Sequence, residues 1–484
     1  MNFRFIFSPG FLTLLTIMLV GCTTPTISNN ISMTPIGNGF VPTDKSISAL
    51  YLIGGGGLDW GEFVTGSGDG SFYLSGKTRK SFGESTDLLV AKLSSNHKIL
   101  WAKTYGGSHE DTSYDTIKTR DNGFLILGGS QSLFFTPLPG SKQERPILIK
   151  IDDIGDVQWA VTLDREMKRA PIPIKERVSI DTLYSVIQTF DGGYVCVGNS
   201  TYISTENEMD IVVAKLSENG EQLWQYRYDL GVSDIGFDIK EMSNGNLLIA
   251  ANTFNKISKS DIVLLNLDSQ GQPLWSKSYS AEQDQIAYHL INSGTGQFII
   301  SGLTKDNKKN SNDILCVKFS SNGDVLWSRS YGSQNIDNSN SIINGHKNEY
   351  LIVGRSGDYK KNLADGVALL INNDGELLSY EYFGGKLNDE LRSGYPIDKE
   401  RYYLLGATDS YRETYTNFLS AIWSPEKSTP KTIEKTFTQT SQDFETRTES
   451  VSYSPIKYQN VHLRTDLKAR GLQVKSLSIV LDTE

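Results

Sequence analysis

Positive charge is the first thing this sequence lacks. Its 484 residues carry 47 Lys and Arg against 56 Asp and Glu, a formal net charge of −9. That balance argues against a nucleic-acid binder, because such proteins concentrate basic residues on one surface. Histidine is sparse too. His97, His109, His289, His346 and His462 are scattered, with no H-E-x-x-H and no paired ligand spacing, so no metal site is expected. The G-x-S-x-G elbow, a Walker loop and a haem-attachment motif are all missing, and the chain is read as having no cofactor. Cysteine is limited to Cys22, Cys196 and Cys316. The last two each sit inside an apolar run, YVCVG and DILCVKF, and read as buried strand residues rather than as a disulfide. No segment shows a long helical period. Aromatic content of 10% and apolar runs along the whole chain exclude disorder as the main state.

The N-terminus reads as a targeting segment. Arg4 precedes an apolar stretch at residues 11–20, about half of the ~20 residues that span a bilayer. It ends in Leu19-Val20-Gly21-Cys22, which resembles the bacterial lipobox, whose cysteine is lipidated and becomes the first residue of the mature protein. The resemblance implies a signal peptide at 1–21 and a membrane anchor, a palmitate-type acyl group among its chains, on Cys22. Thr23 stands where enteric lipoproteins retained at the inner membrane often carry Asp, which implies the outer membrane of a bacterial envelope. Residues 22–46, polar and rich in Pro, Gly, Asn and Thr, read as a flexible tether.

What the chain has in quantity is repetition. A unit of the form D-x₅-φ-x₄-G-x-φ-x-φ-G, then D-φ-φ-φ-x-K-φ, then N-G-x-x-φ-W recurs with its leading Asp at positions 59, 111, 181, 234, 284, 337 and 389, at spacings of 52, 70, 53, 50, 53 and 52. Each unit holds four runs of strand length, separated by Asp-Gly or Asn-Gly signals such as Asp191-Gly192 and Asn219-Gly220. Those dipeptides supply the positive-φ residues of tight hairpins. Four antiparallel strands per repeat of this length is the pattern of a propeller blade. The seventh repeat lacks a convincing fourth strand, whereas residues 49–55, ahead of repeat one, align with fourth-strand sequence. The expected fold is therefore all-β: a seven-bladed β-propeller of four-stranded blades over 47–424, closed by an N-terminal strand. Residues 425–484 form a C-terminal extension that is partly β, either a small appendage or an arm along the propeller.

These Gly- and Asp-rich repeats resemble a broad group of bacterial propeller lipoproteins. Stretches such as Lys215 to Trp224 resemble the tryptophan-docking repeats of quinoprotein-like propellers. Both resemblances imply fold, and neither implies an activity, because propellers host many. The recurrent Trp, at 101, 159, 224, 275 and 327 with Ser379 at the same place in repeat six, is read as packing between blades, since its regular recurrence suits a structural job. The leading Asp ring is read as accepting backbone N–H groups in blade-to-blade turns, with a cation-attracting ring as the functional alternative.

Repeat two is the irregular one. Gly128 to Trp159 is 31 residues against 24 to 26 elsewhere, and Trp159 to Asp181 is 22 against 9 or 10. Both insertions belong to the face opposite the tight glycine turns. One carries Phe134 and Phe135; the other carries Arg165, Lys168, Arg169, Lys175 and two prolines. Long loops on a rigid scaffold concentrate binding residues, so these six are the candidate binding residues, an apolar anchor with a basic rim. The leading expectation is a membrane-anchored, non-catalytic binding or scaffold module for a protein or glycan. The alternatives are a carbohydrate-active hydrolase or lyase, whose acid pair spacing alone does not reveal, and a subunit of an outer-membrane assembly.

Overall fold

The computed structural model describes residues 30–35, 47–54, 58–79, 85–131, 144–165, 179–202 and 209–425, the last with short gaps at 232, 255–259, 295, 307–310, 334, 359–360, 362 and 411–415, and six short strands between 438 and 479. The described residues contain no α-helix, and none of them forms a helix long and apolar enough to cross a membrane. They form seven antiparallel sheets in a ring, a β-propeller.

Each blade begins at the channel and works outwards. In blade three the order is Ser179–Gln188, Tyr194–Tyr202, Met209–Leu216 and Gln222–Asp229. The innermost strands of neighbouring blades touch around the whole ring, Asp389–Pro396 of blade seven meeting Leu58–Gly66 of blade one. Blade seven has three strands from its own repeat and takes its fourth from the N-terminus: Ile47–Gly54 pairs with Asn417–Trp423, Ile53 opposite Phe418. The closure expected from the incomplete repeat is present.

The apolar faces of successive sheets pack on each other. Between blades three and four, Val195, Val197, Ile211 and Val213 meet Leu247, Ile249, Val263 and Leu265, all buried. Each such aliphatic side chain contributes roughly 1.5–3 kcal/mol. Cys196 and Cys316 lie within these layers in blades three and five, buried and unbridged.

The repeated Trp has a defined seat. Gly220, in the turn before the fourth strand of blade three, has φ +80°, and a Cβ there would lie 2.9 Å from the Trp159 ring of blade two. Trp159 Nε1 donates to Glu218 O at 3.2 Å in the same turn. Trp327 does likewise with Asn373 O at 3.0 Å. Beside it, the Tyr that ends the fourth strand bonds the next blade's turn glycine: Tyr105 to Gly155 O and Tyr228 to Gly271 O, both at 2.8 Å. Trp and Tyr therefore fasten one blade to the next, the packing role expected of a residue that recurs from repeat to repeat.

The C-terminal residues make an arm. Thr438–Ser441 adds to the outer edge of blade five, Glu445–Thr448 to blade four, Ser452–Pro455 to blade three, Tyr458–Leu463 to blade two and Gln473–Ser476 to blade one. The chain thus runs back around the ring in reverse order. Its last strand, Ser478–Ile479, pairs in parallel with Asn30–Pro35, which itself pairs with Ile47–Gly54 on blade seven. Asn30–Pro35 falls inside the segment read from sequence as a tether. Blade six shows only the four strands of its own repeat among the described residues.

Candidate ligand site in the central channel

Every innermost strand carries a β-bulge at the same place. The register skips one residue in each: Glu62, Tyr114, Tyr184, Phe237, Tyr288, Asn340 and Arg392. A bulge re-aims the extra residue, and these seven side chains turn towards one another around the axis. Tyr114 and Tyr184 have ring centroids 5.8 Å apart, Tyr184 and Phe237 5.6 Å, Phe237 and Tyr288 5.7 Å. Four aromatic rings thus form a continuous arc across blades two to five. All seven bulge residues are partly exposed, whereas the residues on either side of most of them are buried.

The other arc is charged. Arg392 donates to Glu62 at 2.9 Å and to Glu390 at 2.8 Å, and Arg355 lies 3.8 Å from Glu390. Burial pushes the Glu62 carboxyl above its usual range, against the pull of Arg392. Asn340 donates through Nδ2 to Leu391 O at 2.9 Å. Between the arcs lies a cavity of about 420 Å³, lined by the four rings together with His289, Asn312, Asn338, Asn340 and Arg355. Burial holds the His289 imidazole below its usual pKa, which favours the neutral ring.

In several blades the residue after the bulge clips neighbouring innermost strands together. Asp115 accepts the N–H of Val186 at 2.9 Å, and Asp238 accepts that of Leu290 at 2.7 Å. Ser185 Oγ donates to Asp238 at 2.7 Å. Burial, with the nearby Asp238 charge, lifts Asp115 to about 7. Burial raises Asp238 as well, but the Lys240 charge and the hydrogen bonds from Lys240 and the Leu290 N–H outweigh it and leave that carboxyl below its ordinary value.

The Tyr114 side of the cavity lies towards the strand ends that carry the repeat-two insertions. Tyr114 lies three residues after Asp111, which pairs with Ser130 at the end where the second strand of blade two leaves for the first insertion. The tight turn lies at the opposite end, beyond Lys118 and Phe124. Glu144, on the return from that insertion, accepts the Tyr114 hydroxyl at 2.7 Å. Phe134, Phe135, Lys168, Arg169 and Lys175 lie outside the described residues, as does Cys22. Arg165 ends the fourth strand of blade two, its backbone opposite Tyr458 of the C-terminal arm.

The leading Asp residues hold turns. Asp111, Asp234, Asp337 and Asp389 each accept the N–H of the residue four positions earlier, at 2.6–2.8 Å. Asp210, Asp229 and Asp234 bring oxygen atoms within 4.8 Å of one another. Those carboxylates are already engaged by Arg227 at 3.3 Å and by the N–H groups of Gly231 and Leu230. Glu110, in the His109-Glu110-Asp111 connector, takes Arg79 at 3.2 Å and the Thr86 N–H at 3.1 Å.

The bulge residues are the part of the site that sequence reasoning passed over. A signal existed: six of the seven lie three positions after the leading Asp, and Tyr288 lies four after it. Read down the repeats, that column varies between aromatic, amide and charged residues.

No protein-family model and no curated protein sequence matches this chain. Solved structures similar to it include a protein of unknown function from Dyadobacter fermentans, 12% identical over 65% of this chain and 94% of that one, TM-score 0.41. Drosophila Plexin A in complex with Semaphorin 1b is 9% identical over 78% of this chain and 87% of that one, TM-score 0.42. A subtype N11 neuraminidase-like protein of the virus A/flat-faced bat/Peru/033/2010 is 13% identical over 64% and 87%, TM-score 0.36. Likeness at this level carries nothing about ligand or partner.

Proposed function

We propose that the protein is a non-catalytic binding propeller, held at the outer membrane of a bacterial envelope by a lipid on Cys22, and that the mouth of its channel takes the partner, a protein or a glycan. The observation that carries this reading is the convergence of five bulge side chains, Tyr114, Tyr184, Phe237, Tyr288 and Asn340, on one cavity on the side of the repeat-two insertions. Phe134, Phe135, Arg165, Lys168, Arg169 and Lys175 belong to those insertions and would form the rim, a basic one on an acidic chain. The lipid reading rests on the Leu19-Val20-Gly21-Cys22 junction. Two or more acyl chains give stable anchoring. From Cys22 to Asn30 is eight residues, a reach of at most roughly 28 Å, so the anchor would keep blade seven close to the membrane.

A hydrolase needs a carboxyl group free to give or take a proton beside the bound sugar. Glu62 and Glu390 are both held by Arg392 and neither lines the cavity, which favours binding over cleavage. The test is to incubate the purified protein with glycan and protein fractions of its own envelope and measure retention and ligand length together. Retention with the ligand intact, weakened at least about tenfold by the double change Tyr184→Asn and Phe237→Asn, is the expected result. Shortened glycan chains, with the shortening abolished by Glu390→Gln, would overturn the non-catalytic reading.

A further inference from the structure

Resting on the reading that the channel mouth is the ligand site, we infer that its ligand is a neutral carbohydrate, one or two pyranose units of which enter the cavity with a C–H face against the aromatic arc. A pyranose has two kinds of surface, an apolar face of axial C–H groups and a rim of hydroxyls that both donate and accept. The cavity has the complementary two walls. On one side stand Tyr114, Tyr184, Phe237 and Tyr288, with consecutive centroids 5.6–5.8 Å apart. On the other stand the carboxamides of Asn312, Asn338 and Asn340. Asn312 donates to Asn338 at 3.1 Å and Asn340 donates to Leu391 O at 2.9 Å. Those bonds orient the amides while using only part of their capacity, since each carries two N–H donors and a carbonyl with two lone pairs. Groups held in place before binding lose little freedom when the ligand arrives. The Tyr114 ring is likewise fixed through its hydroxyl by Glu144. A volume of about 420 Å³ lies inside the ~300–1,000 Å³ range of small-ligand sites.

Charge narrows the class. Arg355 is the one Lys, Arg, Asp or Glu side chain in the lining, and it lies 3.8 Å from Glu390. A single guanidinium with a carboxylate beside it does not make the paired cations that a phosphate, a nucleotide or a uronic acid chain calls for. A purely apolar ligand fits no better, because it would strip water from three amides and a guanidinium without replacing their hydrogen bonds.

The test is calorimetric titration of the intact protein with soluble hexasaccharides of β-1,4-glucose, β-1,4-mannose, β-1,4-xylose, β-1,4-N-acetylglucosamine and α-1,4-glucose, and with oligogalacturonate as the acidic control. Binding of at least one neutral chain in the micromolar to millimolar range is expected, with oligogalacturonate much weaker. The double variant Tyr184→Asn, Phe237→Asn should lose about tenfold or more in affinity. Asn is the residue that blade six places at this same bulge, so the backbone accepts it, and an unchanged thermal midpoint checks folding. Tyr184→Phe, which keeps the ring, should bind nearly as wild type. The inference falls if only the acidic chain binds, if a neutral chain binds equally to wild type and a folded double variant, or if none of the panel binds at millimolar concentration. In that last case, capture of an envelope protein that the double variant loses would leave the channel mouth as the ligand site and remove only the sugar. Capture unchanged by the variant would remove both.

Discussion

At the scale of single residues, the innermost strands set charge against burial. Asp115 is raised to about 7 by burial, and Asp234 and Asp389 to about 6 by the same cause, against about 3.9 for an unfolded Asp. In the window between those values the native state binds more protons than the unfolded chain, so these three groups make stability fall as pH rises from about 4 to about 7. Asp191 works the other way. Burial opposes its charge, but Lys215 and Thr189 lower it to about 2, so its contribution is present above the unfolded value and is lost as pH falls below about 4. Asp115→Asn keeps an oxygen for the Val186 N–H and removes the buried charge. The variant should gain on the order of 2 kcal/mol at pH 8 and almost nothing at pH 4. Thermal midpoints of both proteins across pH 4–8 check this, and parallel curves would show that Asp115 carries no burial cost.

At the scale of elements, blade-to-blade docking is separable from hairpin geometry. Gly220 and Gly245 are both turn residues with positive φ, +80° and +83°. A Cβ at Gly220 would meet the Trp159 ring at 2.9 Å, while one at Gly245 has nothing within 4 Å. Gly245→Ala should therefore cost only the left-handed backbone penalty, ~1 kcal/mol. Gly220→Ala should cost that plus the displacement of Trp159, a further ~1–3 kcal/mol. Denaturant unfolding of the two variants measures the difference directly. Equal losses would mean that the Trp seat contributes nothing beyond filling space.

At the scale of the whole molecule, the two termini do different jobs. Ile47–Gly54 supplies the fourth strand of blade seven and completes the ring. The arm from 438 to 479 adds short outer strands to blades already complete in their four. Removing residues 47–54 opens the ring and should lower the thermal midpoint by well over ten degrees. Removing 426–484 uncovers the fourth strands of blades one to five, and bare edges invite pairing between molecules. The expected result is a smaller drop in midpoint with a clear rise in light scattering. Midpoints that fall equally in the two deletions would contradict this division of labour.

Number of blades, strands per blade, the turns and the closing strand were all legible in the sequence, because each is written in neighbouring residues. Alternating apolar runs make strands, Asn-Gly and Asp-Gly make turns, and a repeat missing its last strand makes a gap that only the opposite terminus fills. The docking role of Trp159 and its equivalents was legible for the same reason, since a residue that recurs in five of the seven repeats serves the repeat. The candidate site was not. Glu62, Tyr114, Tyr184, Phe237, Tyr288, Asn340 and Arg392 are about fifty to seventy residues apart, differ in chemistry and follow no hydrophobic period, so nothing local marks them as partners. What the sequence makes conspicuous instead is the irregular length of the loops around Phe134 and Arg165. Ring closure brings the seven bulges onto one axis, and their division into an aromatic and a charged arc exists only there. The route of the C-terminal arm was equally beyond the sequence. Its four-residue strands pair with edges more than a hundred residues away, and such pairing depends on where the folded blades present their backbone, a property of the assembled ring.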